Sequence, residues 1–175
     1  RGMNKQKNYW KNGSLIIVSN EEKSNKKALL ALNSGADCVK LQTVNEEESY
    51  LPNTESYKIF KGTHLNKESL TRLSNFAKDN NGFLFSTPAD LSSLRLLNSI
   101  DISAYKVSSG LLTNSPLLNK MAEYNKPIIL STGMAKQTEI SSAINLLRKK
   151  NIENIAILHC ISLYPAPYNT LNLNF

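Results

Sequence analysis

The chain has few groups able to hold a metal, to cross-link the fold or to span a membrane. Its 175 residues include two cysteines and two histidines, and no apolar run approaches the ~20 residues of a membrane-spanning helix. A membrane partner is therefore not expected. Cys38 and Cys160 lie in apolar segments with neither a CxxC nor a metal-ligand spacing, which excludes a disulfide framework and reads as two reduced core thiols of a cytoplasmic protein. His64 falls in a loop and His159 follows an apolar run, so both are expected to be structural, and no metal ligand is assigned. Acid is outnumbered, with 14 Asp+Glu against 21 Lys+Arg, a net charge of +7. That balance suits an anionic partner, but the lysines are spread along the chain and no basic motif interleaved with aromatics occurs. A small anion is favoured over nucleic acid.

What is present is enough apolar material, 41% of residues, for one globular domain. Arg1-Gly2 before Met3 reads as a cleavage scar and the stretch to Asn12 as a polar tail, so residues 1–12 are set aside and 13–175 taken as the domain. Short apolar runs at Leu15–Val18, Cys38–Leu41, Phe83–Phe85, Pro127–Leu130 and Ile155–Leu158 predict strands. Between them, apolar residues at helical spacing predict helices over 26–33, after Asn66, after Asp90, around Leu117–Ala122 and around Ile140–Leu147. Asn45 to Gly62 is expected to be a loop.

The stretch Ala104 to Pro116 organises the rest. Tyr105 and Val107 favour a strand, Gly110 suits a turn, and Ser115 before Pro116 reads as a helix N-cap. Lys106 then sits near a strand's C-terminal end, with Ser108 and Ser109 just beyond it. Taken alone, the segment also reads as an edge-strand lysine and a polar loop.

The pattern recurs, however. Strands alternating with helices, and apolar on both faces, predict a parallel sheet covered by helices, which binds ligands at the strands' C-terminal ends. Successive ends carry Lys40, Thr87, Lys106 with Ser109, Ser131 and Ser162. Two ammonium groups and several hydroxyls converging on one point suit a phosphate or carboxylate, and Gly110 and Gly133 would let backbone N–H groups come close. Either a doubly wound sheet or a barrel fits the alternation. Gathering five ends around one centre favours the (β/α)8 TIM-barrel type, with its first six β/α units in this chain.

Five ordered motifs closely resemble the N-acetylneuraminate (sialic acid) synthase family: Gly35-Ala-Asp-Cys-Val-Lys-Leu-Gln-Thr43, Phe85-Ser-Thr-Pro-Ala-Asp90, Tyr105-Lys-Val-Ser-Ser-Gly110 with Leu112-Thr-Asn-Ser-Pro-Leu-Leu118, Ile129-Leu-Ser-Thr-Gly-Met134, and Leu158-His-Cys-Ile-Ser-Leu-Tyr-Pro-Ala-Pro167. The resemblance implies a barrel enzyme, a transferase forming a C–C bond between phosphoenolpyruvate and N-acetylmannosamine or a related amino sugar to give a nonulosonic acid. It also implies a divalent metal, Mn or Mg. By resemblance, Lys40, Thr87, Lys106, Ser109 and Ser131 hold phosphoenolpyruvate, Ser162 stands where other members carry Asn and could serve the same ligand, and Gln42 and Tyr164 lie towards the sugar.

Three departures qualify the resemblance. The family's Glu after the first strand and its Asn-His-x-Gly are missing, with Glu21 and Glu22 placed instead at a helix start. Its acidic residue after Ser-Gly is Leu111 here, which cannot transfer a proton. The chain stops at Phe175, short of the last two strands with their metal-binding histidines, which reads equally as a fragment, a truncated product or a paralogue, with a homo-oligomer or a completing chain as candidate partner. Two readings follow. One is a sialic acid synthase-type enzyme; the other is a truncated or disabled relative that binds an anion or regulates.

Overall fold

The computed structural model describes residues 15–17, 28–63, 65–163 and 165–173. The tail over 1–12, Val18, Glu21, Glu22, His64 and Tyr164 lie outside the described residues. Six strands follow one another along the described residues: β1 (Leu15–Ile17), β2 (Cys38–Thr43), β3 (Phe83–Pro88), β4 (Tyr105–Val107), β5 (Ile128–Ser131) and β6 (Ile155–Leu158). They lie side by side in that same order, every pair parallel. A doubly wound sheet reverses its strand order at a switch point, and this sheet has no reversal. Crossovers of one hand and one direction put the helices on one face, as in a barrel wall.

The helices are α1 (28–33), α2 (Glu46–Ser49), α3 (Glu55–Phe60), α4 (Lys67–Asp79), α5 (Leu91–Ser99), α6 (Ser115–Glu123) and α7 (Gln137–Lys149). Helix α4 shows how local chemistry sets them. Asn66 Oδ1 accepts from Ser69 N at 2.9 Å to start it, Leu70, Leu73 and Ala77 are buried one or two turns apart, and Asn81 at φ 60° marks the stop. Each buried leucine stabilises by about 1.5–3 kcal/mol.

Strand alternation divides the apolar residues between two cores. Val39, Leu41, Leu84, Tyr105, Val107, Ile128 and Leu130 face the helices and join Leu73, Leu94, Leu117 and Leu147 in the larger one. The residues between them, Cys38, Phe85, Ala104 and Ile129, form a small core on the opposite face. Lys40, Gln42, Thr87, Lys106 and Ser131 fall on this second face by the same period of two.

Two expectations need correction. The stretch from Asn45 to Gly62 is not an irregular loop but holds α2 and α3. Asn45 Oδ1 accepts from Glu47 N at 3.1 Å, Thr54 Oγ1 accepts from Tyr57 N at 3.2 Å, and the Tyr50 and Phe60 rings stack at 5.4 Å. Three acidic residues in the first turn of α2 complement its dipole, so helices too short for a periodic pattern still form. In α6 the cap is Asn114, whose side chain accepts from Leu117 N at 3.1 Å, and Ser115 is already helical.

Candidate anion-binding site

Strand β4 is central, between β3 and β5, so Lys106 is not an edge lysine. It is 6% exposed. Its Nζ donates to the Val107 carbonyl at 2.7 Å and to Ser131 Oγ on the neighbouring strand. Lys40, on β2, is 9% exposed and has no hydrogen-bond partner among the described residues. Burial lowers the pKa of the Lys40 ammonium. Burial first, and the charge of Lys40 second, bring Lys106 down to about 8, against an upward pull from Cys160. Two like charges are thus held in low-dielectric surroundings with one of them unpaired.

Register places Thr87 level with Lys106, whereas Lys40 pairs with Phe85, two residues earlier on β3. Gln42 pairs with Thr87, and the Ser86–Tyr105 pairing puts Thr87 beside Lys106. Thr87 is buried and Gln42 exposed, so Gln42 lies at the outer lip of this row.

A second group of hydroxyls forms around Gly133. Its N–H donates to Ser109 Oγ at 3.0 Å. A Cβ at this position would lie 2.6 Å from Ser162 Oγ, 2.9 Å from Ser109 Oγ and 3.2 Å from the Cys160 carbonyl. Glycine is required here by close approach, whereas a Cβ at Gly110 would meet nothing within 4 Å. Thr132 anchors the same turn to the end of β6, its N and Oγ1 both donating to the Leu158 carbonyl at 3.1 and 2.9 Å. The structure therefore gathers Ser109 and Ser162 at one turn, and Lys106 against Ser131, which stands just before that turn in the chain.

Other residues take different places. Leu111 packs half-buried against the helix-side core. Cys160 is half-buried, its thiol donating to the Leu158 carbonyl at 3.4 Å, so it sits beside the site rather than in a core. Cys38 is a core thiol, pushed up to about 11 by burial and by Asp37. His159 Nε2 lies 2.7 Å from the Leu171 carbonyl. Among the described residues no three His, Cys, Asp or Glu side chains come together as a metal ion needs, so the donors described do not fit the divalent metal that the resemblance implies. No helix among them is long and apolar enough to cross a membrane.

Sequence reasoning placed Asp90 only as a helix cap. In the structure its carboxylate also accepts from Asn45 N and Ser49 Oγ, at 2.8 and 2.9 Å. No local pattern signals partners more than forty positions away.

The chain is similar to known proteins along most of its length. It is 41% identical over 140 residues to an uncharacterized protein of Methanocaldococcus jannaschii, covering 80% of this chain and 42% of that one. It is 38% identical over 160 residues to the N,N'-diacetyllegionaminic acid synthase of Campylobacter jejuni, covering 82% of this chain and 48% of that one. The chain thus spans under half the length of these two relatives. A crystal structure of N-acetylneuraminic acid (sialic acid) synthetase from Leptospira borgpetersenii, in complex with citrate, superposes with a TM-score of 0.78 at 27% identity, covering 90% of this chain and 57% of that one. The family profile described as NeuB family matches residues 29–175, which hold every described residue of the site, and the chain belongs to that family of N-acetylneuraminate synthase-like proteins.

Proposed function

We propose that the chain binds phosphoenolpyruvate at the Lys40–Lys106 site and contributes that site to a nonulosonic acid synthase of the (β/α)8 type, with an amino sugar as second substrate. The observation that carries this reading is the pair of buried ammonium groups on one sheet face, Lys40 without a hydrogen-bond partner among the described residues and Lys106 against Ser131. Burying two like charges is costly unless an anion compensates them. Phosphoenolpyruvate offers two anionic groups, a phosphate and a carboxylate. The synthase names carried by relatives supply the product class.

In the proposed reaction, carbon 3 of phosphoenolpyruvate attacks the sugar aldehyde, water adds at carbon 2, and the C–O bond to phosphate breaks. Lys40 and Lys106 hold the substrate's charge. Thr87, Ser109, Ser131 and Ser162 donate in fixed directions and orient it, with Gln42 and Tyr164 towards the sugar. These contacts stabilise ground and transition states alike, so they give binding before they give rate.

Leu111 favours a second reading, a relative that binds the anion without turning it over. Its side chain belongs to the helix-side core and cannot move a proton. Calorimetry with phosphoenolpyruvate tests the first claim, and phosphate release in the presence of N-acetylmannosamine and manganese separates the two. Binding with turnover supports the synthase, binding alone the second reading, and absence of binding removes both.

A further inference from the structure

The ends of β2 and β3 are joined beyond the last paired residues, and the joint has one carboxylate at its centre. Gln42 pairs with Thr87 and Thr43 with Pro88. Thr43 and Ser86 share a buried hydroxyl hydrogen bond of 2.9 Å, and Ala89 N donates to the Thr43 carbonyl at 2.9 Å. There the backbone ladder gives out, because the chain turns into α5. The next donor on the β2 side, Asn45 N, finds Asp90 Oδ2 at 2.8 Å instead of a carbonyl. Asp90 is 9% exposed.

Both carboxylate oxygens are in use, and they do different jobs. Oδ1 accepts from Ser93 N at 2.7 Å and Ser92 Oγ at 2.9 Å, which caps α5. Oδ2 accepts from Asn45 N, from Ser49 Oγ at 2.9 Å and from Ser93 Oγ at 2.9 Å, which ties the segment after β2 to the start of α5. Burial opposes the charged form, but hydrogen bonds from Ser93, Asn45 and Ser49 outweigh it and hold Asp90 below the usual carboxylate range. The group is ionised at neutral pH and accepts at both oxygens.

We propose that Asp90 is a positioning residue of the anion site: by accepting from Asn45 and Ser93 at once it latches the end of β2 to the end of β3 and so fixes Gln42 and Thr87 against each other. The inference rests on the phosphoenolpyruvate reading for the ligand, but not for the latch. Thr87 stands three residues before Asp90 and Gln42 three before Asn45, so slack at the joint passes to both within one strand end.

Asp90→Asn separates latch from cap. Asparagine is as good an N-cap as aspartate, so one oxygen can still take Ser93 N, while an NH2 group would face Asn45 N–H, a donor against a donor. Two measurements on the 175-residue chain are needed, phosphoenolpyruvate affinity by calorimetry and residue-resolved amide exchange by NMR. In Asp90→Asn, exchange at Asn45 and Ala89 should accelerate about tenfold while Ser93 and Leu94 keep their protection. Affinity should fall about tenfold, as misplacement of binding groups produces. In Asp90→Ala the Ser93 amide should lose protection too, which identifies the cap. Lys126→Ala, which breaks a 2.6 Å pair with Asp101 before β5, should leave both readings unchanged.

Wild-type exchange at Asn45 and Ala89 in Asp90→Asn would overturn the latch, and faster exchange with unaltered affinity would overturn its role in positioning. If the unmodified chain does not bind phosphoenolpyruvate, the proposed function fails. Inorganic phosphate then serves as the affinity probe, and failure of phosphate to bind the unmodified chain overturns the positioning role together with the anion site.

Discussion

Lys106 Nζ on β4 donates to Ser131 Oγ on β5 and to the Val107 carbonyl, so the ammonium group is held by a hydroxyl and a backbone carbonyl. Among the described residues no acidic side chain is paired with it, which leaves its full charge for a ligand.

Removing either lysine should weaken phosphoenolpyruvate binding by the worth of a charge-assisted hydrogen bond, about 1.5–3 kcal/mol. Lys40→Ala should also stabilise the ligand-free chain, because an unpaired buried charge is lost. Calorimetry and thermal melts read the two effects, and unchanged affinity in both Lys40→Ala and Lys106→Ala would sink the site.

Titration of Lys106 should move binding and stability in opposite directions. Its pKa is about 8 in the folded chain against 10.5 when unperturbed. Above pH 8 the folded chain has lost a proton that the unfolded chain keeps, so stability rises with pH between these values. Anion affinity falls over the same range as the ammonium group is neutralised. Melting and calorimetry from pH 7 to 10 check both, and a flat affinity profile contradicts the assignment.

Gly133→Ala brings a Cβ to 2.6 Å from Ser162 Oγ and 2.9 Å from Ser109 Oγ. The two hydroxyls must rotate away, and the Cys160 carbonyl at 3.2 Å must shift slightly. A cost of about 1–3 kcal/mol is expected from overpacking, together with weaker anion binding. Adding Ser162→Ala should recover part of the stability. No recovery in the double variant would mean that Ser109 or the Cys160 carbonyl, not Ser162, sets the limit.

Asn114→Ala should destabilise by about 0.5–2 kcal/mol through loss of the α6 cap, and Ser115→Ala by much less. Denaturant titration of the two variants decides. The reverse order would return the cap to Ser115.

Much of the fold was legible because its signals are local. Apolar runs marked β1, β2, β3, β5 and β6, Tyr105 and Val107 marked β4, and Asn66 and Asp90 announced their helices, since a cap and a period of 3.6 need only neighbouring residues. Helices α2 and α3 were missed because four and six residues hold too few positions for a period, although Asn45 before three glutamates was a usable cap signal.

By itself the sequence determined the order of the strands and of the longer helices, the placing of Thr87, Lys106 and Ser131 near strand ends, and the family, whereas Lys40, expected at the end of β2, stands in its interior, three residues before Thr43. Each is carried by residue type and spacing along the chain. Only the tertiary structure decided that β4 is central and Lys106 buried, that Leu111 turns to the helices, and that Asp90 reaches Asn45. Those facts depend on strand order and on contacts between residues 24 to 45 positions apart, such as Gly133 with Ser109 and Asp90 with Asn45. Chain folding sets such distances, and no spacing within a single segment encodes them.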